Sequence, residues 1–70
     1  MALRIIQVGM AAWGTTWTAI VRRSPETALV ACVDSNPAAL TAISDDPTIA
    51  RFASLEQALQ AVEADAVLMP

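Results

Sequence analysis

The feature that most limits how this chain can fold is residues 4–14, RIIQVGMAAWG, in which an apolar run leads directly into a turn bounded by two glycines. Ile5 and Ile6 are β-branched and belong to a short continuous apolar run, which predicts a strand covered on both faces in a parallel sheet. Gly9 can adopt the backbone conformation of a tight turn, and Gly14 allows the following helix to lie close against the strand. The segment therefore predicts a strand, a turn and a helix in that order.

The spacing G-x-A-x-x-G over residues 9–14 is typical of a phosphate-binding turn. Free N–H groups at the start of a helix point toward a ligand, and the helix dipole favours negative charge there. Ala11 stands where the common fingerprint has its second glycine, and its methyl group is the smallest possible intrusion on a pyrophosphate. We therefore expect Ala11 to change the affinity for a pyrophosphate without abolishing its binding. From these residues alone, a turn whose glycines serve only packing remains open.

The acidic residue Asp34 strengthens the nucleotide interpretation. It follows a second apolar run, residues 28–33, and lies 20 residues beyond Gly14. In a dinucleotide site, an acidic residue at about this distance and at the end of the second strand accepts hydrogen bonds from the adenosine ribose. The alternative is an aspartate that serves only the turn before Asn36 and Pro37. The order of strand, turn, helix, strand and acid favours the ribose role.

The rest of the sequence predicts alternating helices and strands. The first helix, residues 15–23, should turn an apolar stripe toward the sheet, made by Trp13, Trp17, Ile20 and Val21. Four further elements are expected: a short helix capped by Asn36 and starting at Pro37, a strand over residues 49–52, a helix capped by Ser54 that extends to about residue 63, and a strand over residues 66–69. The third helix should bury Leu55, Ala58, Leu59 and Val62. Solvated loop charges are expected at Asp45, Asp46 and Asp65.

Composition excludes several classes of protein. The 70 residues are 56% hydrophobic and 16% charged, which is too apolar for disorder. No run approaches the ~18 uncharged apolar residues of a membrane span. The net charge of −3 offers no basic surface, so neither nucleic acid nor a membrane is an expected partner. Cys32 is the only cysteine and should be buried and inert. Because the turn begins at residue 9, there is no room for a secretory signal, which indicates the cytoplasm.

The sequence also resembles the nucleotide-binding half of the Gfo/Idh/MocA oxidoreductases, the family of glucose–fructose oxidoreductase and inositol dehydrogenase. Four segments carry the resemblance and together extend along the whole chain: RIIQVGMAAWG, LVACVDSNP, FASLEQAL and ADAVLMP. The resemblance implies an α/β fold, a partial Rossmann fold whose parallel sheet has three to four strands in the order 3-2-1-4 with flanking helices. Residues 1–70 would be the N-terminal part of a dinucleotide-binding domain, and the substrate domain would lie outside this chain.

Carried over residue by residue, the resemblance implies a cofactor site made by Gly9, Met10, Ala11, Ala12, Trp13, Gly14, Asp34 and Ser35. The turn residues, through amides that include those of residues 10–13, would face the pyrophosphate, and Asp34 would face the ribose. Asp34 would repel a 2′-phosphate and residues 35–37 offer no cation, so NAD is favoured over NADP. Family members transfer a hydride at a sugar or polyol carbon with a lysine from a Glu-Lys-Pro segment, and this sequence contains no lysine. The resemblance thus implies a piece of a longer oxidoreductase that binds nucleotide at most, with no catalytic or metal-ligating residue of its own.

Two other classes remain open at this point. A non-catalytic module that binds a nucleotide or assembles with a partner would need the glycine turn and no lysine. An S-adenosylmethionine-dependent methyltransferase also joins a glycine turn to an acid at the end of the second strand, although its usual turn is richer in glycine. If the chain is a truncated Rossmann domain, the apolar fourth strand would be an uncovered edge, which predicts poor solubility or a homo-oligomer.

Overall fold

The fold is a four-stranded parallel sheet with helices packed against it. The computed structural model describes residues 2–10, 14–43 and 45–70. The elements are β1 (Leu3–Val8), α1 (Gly14–Arg23), β2 (Thr27–Val33), a 3₁₀ helix (Pro37–Ile43), β3 (Ala50–Phe52), α2 (Leu55–Ala61) and β4 (Ala66–Leu68). The strands are arranged in the order β3-β2-β1-β4. This confirms the predicted α/β, Rossmann-like fold and its 3-2-1-4 strand order. None of the helices in the described ranges is long and apolar enough to cross a bilayer.

The buried apolar residues form two clusters. One cluster includes Leu29 and Cys32 of β2 and extends to α1 and the 3₁₀ helix, and the other joins Ala31 and Val33 to α2. Residues 29 and 31 would share a face in a regular strand, because side chains alternate with a period of two. Here the pairing of β1 with β2 shifts by one residue between Ile5 and Ile6. Val30 is skipped in this pairing, which places Leu29 on the same face as Cys32, while Ala31 and Val33 lie on the opposite face.

The edge strand β4 is attached to β1 by a polar contact at its start. The carboxylate of Asp65 accepts hydrogen bonds from the backbone N–H of Arg4 at 2.8 Å and from its Nη2 at 3.3 Å. The backbone N–H of Asp65 donates to the Arg4 carbonyl at 2.8 Å. Asp65 is exposed, as expected for a solvated charge, and it also connects β4 to β1. The Asp46 carboxylate likewise has a partner, since it accepts a hydrogen bond from the backbone N–H of Thr48 at 2.9 Å.

The helix starts agree with the sequence more closely than the helix types and ends do. Ser54 caps α2, with its hydroxyl accepting a hydrogen bond from the Gln57 N–H at 3.2 Å. Asn36 accepts one from the Ala38 N–H at 3.1 Å through its side chain. The helix that follows Asn36 is a 3₁₀ helix, and α2 ends at Ala61, two residues before the predicted end. Leu59 was expected to be buried and is 56% exposed, while Ala58 supplies the buried contact of α2.

The buried face of α1 differs from the predicted apolar stripe. Val21 is buried as predicted, together with Gly14 and Thr18, whereas Trp17 is 41% exposed and Ile20 42% exposed. Trp13, the fourth residue of the predicted stripe, lies outside the described residues. The physical reason is the start of the helix: Gly14 lies against the backbone of Gly9, which fixes the rotation of α1 about its axis. Residues at 14, 18 and 21 then follow on one helical face.

Candidate functional site

The candidate site lies at the carboxyl ends of the adjacent strands β1 and β2. Gly9 directly follows β1, and its N–H donates to the Val33 carbonyl at 2.8 Å. Asp34 directly follows β2, and its N–H donates to the Phe52 carbonyl of β3 at 3.1 Å. The hydrogen bonding between strands therefore continues one residue beyond each strand. It holds Gly9 and Asp34 beside each other at one edge of the sheet.

The Asp34 carboxylate contacts the turn directly. Its Oδ2 accepts a hydrogen bond from the Met10 N–H at 3.0 Å, and its Oδ1 accepts one from the Asn36 N–H at 2.9 Å. These two bonds, first from Asn36 and then from Met10, hold the pKa of Asp34 below its ordinary value of 3.8. The carboxylate is therefore ionised at neutral pH. The Met10 N–H was expected to face a pyrophosphate, but in this structure it is donated to Asp34.

An open cavity of about 340 Å³ adjoins these residues. Gly9, Asp34 and Ser35 line one side of it, and Ala53 and Ser54, which follow β3, line another. The structure thus brings three of the predicted site residues to one cavity. The side chain of Met10 is buried, and Gly14 starts α1 behind Gly9. The remaining predicted residues, Ala11, Ala12 and Trp13, lie outside the described residues.

The two glycines of the turn have different physical roles. Gly9 has a φ of +94°, a backbone conformation that other residues rarely adopt. Among the residues that the structure describes, none has an atom within 4 Å of a Cβ built on Gly9. A Cβ on Gly14 would lie 2.5 Å from the Gly9 carbonyl oxygen, closer than atoms can approach. Gly9 is therefore required for conformation, and Gly14 for the contact between helix and strand.

A buried polar pair supports the turn from within the fold, and the sequence analysis did not single it out. Gln7 is fully buried, and its Nε2 donates to the carbonyls of Gly14 at 2.8 Å and Gly9 at 3.1 Å. The Thr18 hydroxyl donates to Gln7 Oε1 at 3.1 Å. The available signal was a single amide residue inside the apolar run of β1. A polar residue in the middle of a strand buried on both faces requires buried partners.

The buried thiol of Cys32 is not reactive, and the described residues form no metal site. Cys32 is buried, as predicted, and burial raises the pKa of its thiol to about 11, so it stays protonated at neutral pH. Within residues 2–10, 14–43 and 45–70, no group of three or more histidine, cysteine, aspartate or glutamate side chains is arranged to hold a metal ion. The site as described therefore offers backbone groups and carboxylate oxygens for binding.

A second cavity is lined by residues of α1, β1 and β4 and by Thr27 at the start of β2. We call it the apolar groove; it has a volume of about 320 Å³ and lies between α1 and the edge strand β4. Its walls include Ile5, Trp17, Ile20, Val67 and Leu68. It shares no lining residue with the cavity beside Asp34. The groove is thus a separate surface with almost no polar character.

The fold is similar to that of solved bacterial inositol dehydrogenases. Scyllo-inositol dehydrogenase from Lactobacillus casei, solved with bound NAD(H) and scyllo-inositol, superposes with a TM-score of 0.82 at 22% identity over 99% of this chain. Myo-inositol 2-dehydrogenase from Lactobacillus plantarum gives a TM-score of 0.83 at 15% identity, again over 99% of this chain. The apo form of the L. casei enzyme gives 0.80 at 23% identity over 97% of this chain.

This chain spans about a fifth of the length of the enzymes that it matches, 21% in each case. No protein-family model matches the sequence, and no curated protein matches it. At these identities the likeness establishes the fold. What the chain binds has to be argued from its own residues.

Proposed function

We propose that this chain is the N-terminal part of the dinucleotide-binding domain of a Gfo/Idh/MocA-like oxidoreductase, and that it binds NAD. The observation that carries the proposal is that Gly9 and the ionised Asp34 lie together at the carboxyl ends of two central parallel strands, beside an open cavity. In open α/β sheets, ligands bind outside the carboxyl ends of the strands, where the strand order reverses. The reversal in this sheet is at β1, which lies between β2 and β4.

The residues present fit NAD on two counts. First, Gly9 has no side chain, and no atom of the described residues lies within 4 Å of where a Cβ would stand, so a phosphate group could approach the backbone there. Second, each carboxylate oxygen of Asp34 accepts one backbone N–H, and each has capacity for a further hydrogen bond from a ribose hydroxyl. The same negative charge would repel the 2′-phosphate of NADP, and Ser35 and Asn36 supply no cation to offset it. NAD is therefore the favoured cofactor.

The oxidoreductase activity is proposed for a longer chain that contains these residues. When bound, NAD supplies a nicotinamide ring that accepts a hydride from a sugar or polyol carbon. The substrate domain and a lysine for proton transfer would come from the rest of that chain, because the 70 residues contain no lysine or histidine. The residues described above would hold the adenosine and pyrophosphate portion of the cofactor.

The proposal is tested by isothermal titration of the chain with NADH, NADPH and S-adenosylmethionine. We expect NADH to bind, and to bind more tightly than NADPH, because only NADPH places a phosphate against Asp34. Equal affinity for NADH and NADPH would contradict the charge argument for NAD. Binding of S-adenosylmethionine in preference to NADH would contradict the oxidoreductase proposal and indicate a methyltransferase.

The role of Asp34 is tested by Asp34→Asn, which keeps the shape of the side chain and removes its charge and one acceptor. We expect NADH affinity to fall roughly tenfold, because hydrogen bonds to a charged group are lost. The matched control is Asp45→Asn, which makes the same chemical change at an exposed carboxylate paired with Arg22. Asp45 precedes β3, so it lies toward the opposite end of the parallel strands from the site, and NADH affinity should not change. An equal loss in both variants would show that net charge alone acts.

A further inference from the structure

The side chain of Gln7 is the feature of the fold that the proposed cofactor contacts leave unexplained. It lies in the central strand β1, where residue 7 is paired with Cys32 of β2 on one side and Leu68 of β4 on the other. The side chain is 0% exposed. A buried amide costs free energy unless its donors and acceptor are all bonded, and an aliphatic residue would fill the same space without that cost. The partners of the amide therefore define what it does.

The amide nitrogen of Gln7 binds both ends of the glycine turn. Nε2 carries two hydrogens, and it lies 2.8 Å from the Gly14 carbonyl oxygen and 3.1 Å from that of Gly9. The orientation of the amide follows from these neighbours, since a carbonyl oxygen in place of Nε2 would face two other carbonyl oxygens. One side chain thus connects the residue at which β1 ends with the residue at which α1 starts.

The opposite end of the amide is held by α1. The Thr18 hydroxyl is 3.1 Å from Gln7 Oε1 and 2.9 Å from the Gly14 carbonyl oxygen, and Thr18 itself is 4% exposed. In the described part of the chain, no buried polar side-chain atom lacks a hydrogen-bond partner. A fully bonded buried network specifies one arrangement of its members. The single hydroxyl proton of Thr18 is shared between Gln7 Oε1 and the Gly14 carbonyl, so Thr18 reinforces the amide orientation that the two turn carbonyls set.

We infer that Gln7 is a positioning residue for pyrophosphate binding: its amide holds Gly9 and Gly14 at the separation that the turn requires. This inference rests on the proposed function. It is supported by the contact between the two glycines, in which the position of a Gly14 Cβ would lie 2.5 Å from the Gly9 oxygen. The backbones of Gly9 and Gly14 are therefore in close contact. A change in the distance between them would change the conformation of the turn. Gln7 touches no ligand and acts through the backbone.

The test compares two ligands that share adenosine and differ in the pyrophosphate. ADP-ribose contains the pyrophosphate, and adenosine does not. In Gln7→Met, which keeps the length of the side chain and removes its hydrogen bonds, we expect affinity for ADP-ribose to fall on the order of tenfold. Affinity for adenosine should stay within about twofold, because Asp34 is unchanged. Affinities are measured by titration under conditions in which the variant is folded by circular dichroism.

The outcomes separate this inference from the proposed function. If the unsubstituted chain binds no ADP-ribose, the proposed function fails, and the inference fails with it. If the unsubstituted chain binds ADP-ribose and Gln7→Met binds it equally well, only the inference fails. An equal loss of affinity for both ligands also contradicts it, because Gln7 would then support the fold in general and not the turn.

A second pair of variants decides the question should Gln7→Met not fold. Thr18→Val keeps the shape of the side chain and removes the hydroxyl that reinforces the orientation of Gln7, so affinity for ADP-ribose should fall about threefold, with adenosine unaffected. Thr18→Ser keeps the hydroxyl and should restore ADP-ribose binding. Thr16→Val, at an exposed position of the same helix, is the control and should bind as the unsubstituted chain does. A loss in Thr18→Ser equal to that in Thr18→Val would contradict the inference.

Discussion

Helix α1 borders two regions that are built differently. At its start, Gly14 and Thr18 meet Gly9 and Gln7 in a buried region whose polar groups are hydrogen-bonded. On its outer side, Trp17 and Ile20 line the apolar groove beside β4 and remain about two-fifths exposed. The start of α1 is therefore closely packed and hydrogen-bonded, whereas its outer face is only partly covered by other residues.

The difference indicates which contacts set the geometry of the candidate site. In a closely packed region, a small displacement of one group displaces its neighbours. One added atom at the turn should therefore shift the residues that contact it. The groove has a free volume of about 320 Å³, so a change in the size of a side chain there need not displace its neighbours. We therefore expect small substitutions at the turn to cost more than large substitutions at the groove. The predictions below test this ordering.

The largest effect is expected for Gly14→Ala. The added methyl group would overlap the Gly9 carbonyl, and neither backbone segment can move without disturbing the sheet. The free energy of unfolding should fall by about 2 kcal/mol or more, as measured by urea denaturation. Thr16→Ala places the same residue at an exposed position of α1 and should be neutral or slightly stabilising. A neutral Gly14→Ala would show that the turn is not closely packed.

A smaller effect is expected for Gly9→Ala. In the described part of the chain, no atom lies within 4 Å of the new Cβ, so the expected cost comes from the φ of +94°. We expect a loss of about 1–2 kcal/mol in the free energy of unfolding. Gly9→Asn should lose less than Gly9→Ala, because asparagine tolerates positive φ better. If Asn and Ala cost the same, backbone conformation is not the cause.

The third prediction concerns pH at the turn. Because the bonds from Asn36 and Met10 lower the folded-state pKa of Asp34, they contribute stability above the unfolded-state pKa that is lost as pH falls through the folded-state pKa. Hydrogen bonds from ribose hydroxyls to the Asp34 carboxylate should lower its pKa further. ADP-ribose affinity should therefore decline only below pH 3.8, the ordinary pKa for this group, as the pH falls through the lowered folded-state pKa of Asp34. In Asp34→Asn this component of the pH dependence should be absent, and its persistence would assign it to another group.

The smallest effect is expected in the groove, for Trp17→Gln. Removing this large, partly exposed side chain should change the free energy of unfolding by less than about 1 kcal/mol. It should also reduce self-association, as measured by sedimentation velocity, because the groove loses apolar surface. A destabilisation larger than that of Gly14→Ala would reverse the ordering on which the comparison rests.

The sequence predicted those parts of the fold that depend on local pattern. The strands, the glycine turn and the Ser54 cap each follow from residue types at fixed spacing, and the strand order followed from the family resemblance. The position of Asp34 at the end of the second strand was also predicted. Its place beside Gly9 follows from the fold, because the carboxyl ends of neighbouring parallel strands share an edge of the sheet. These features need little knowledge of the tertiary packing.

The parts that were wrong or missed depend on contacts between distant residues. Val21 of the predicted stripe is buried, but Trp17 and Ile20 are partly exposed, since the Gly14 contact sets the rotation of the helix. The partner of Asp65 is Arg4, which is distant in sequence. The role of Gln7 depends on where Thr18 and the two turn carbonyls lie. No local pattern contains that information.

The most direct test of the central claim is an NMR titration of the ¹⁵N-labelled chain with ADP-ribose. If the turn and Asp34 bind the dinucleotide, the largest amide shift changes should occur at Gly9, Met10, Asp34 and Ser35, with the Trp17 indole signal unchanged. Shift changes confined to the apolar groove, or none at saturating ligand, would contradict the claim that this edge of the sheet is a nucleotide site.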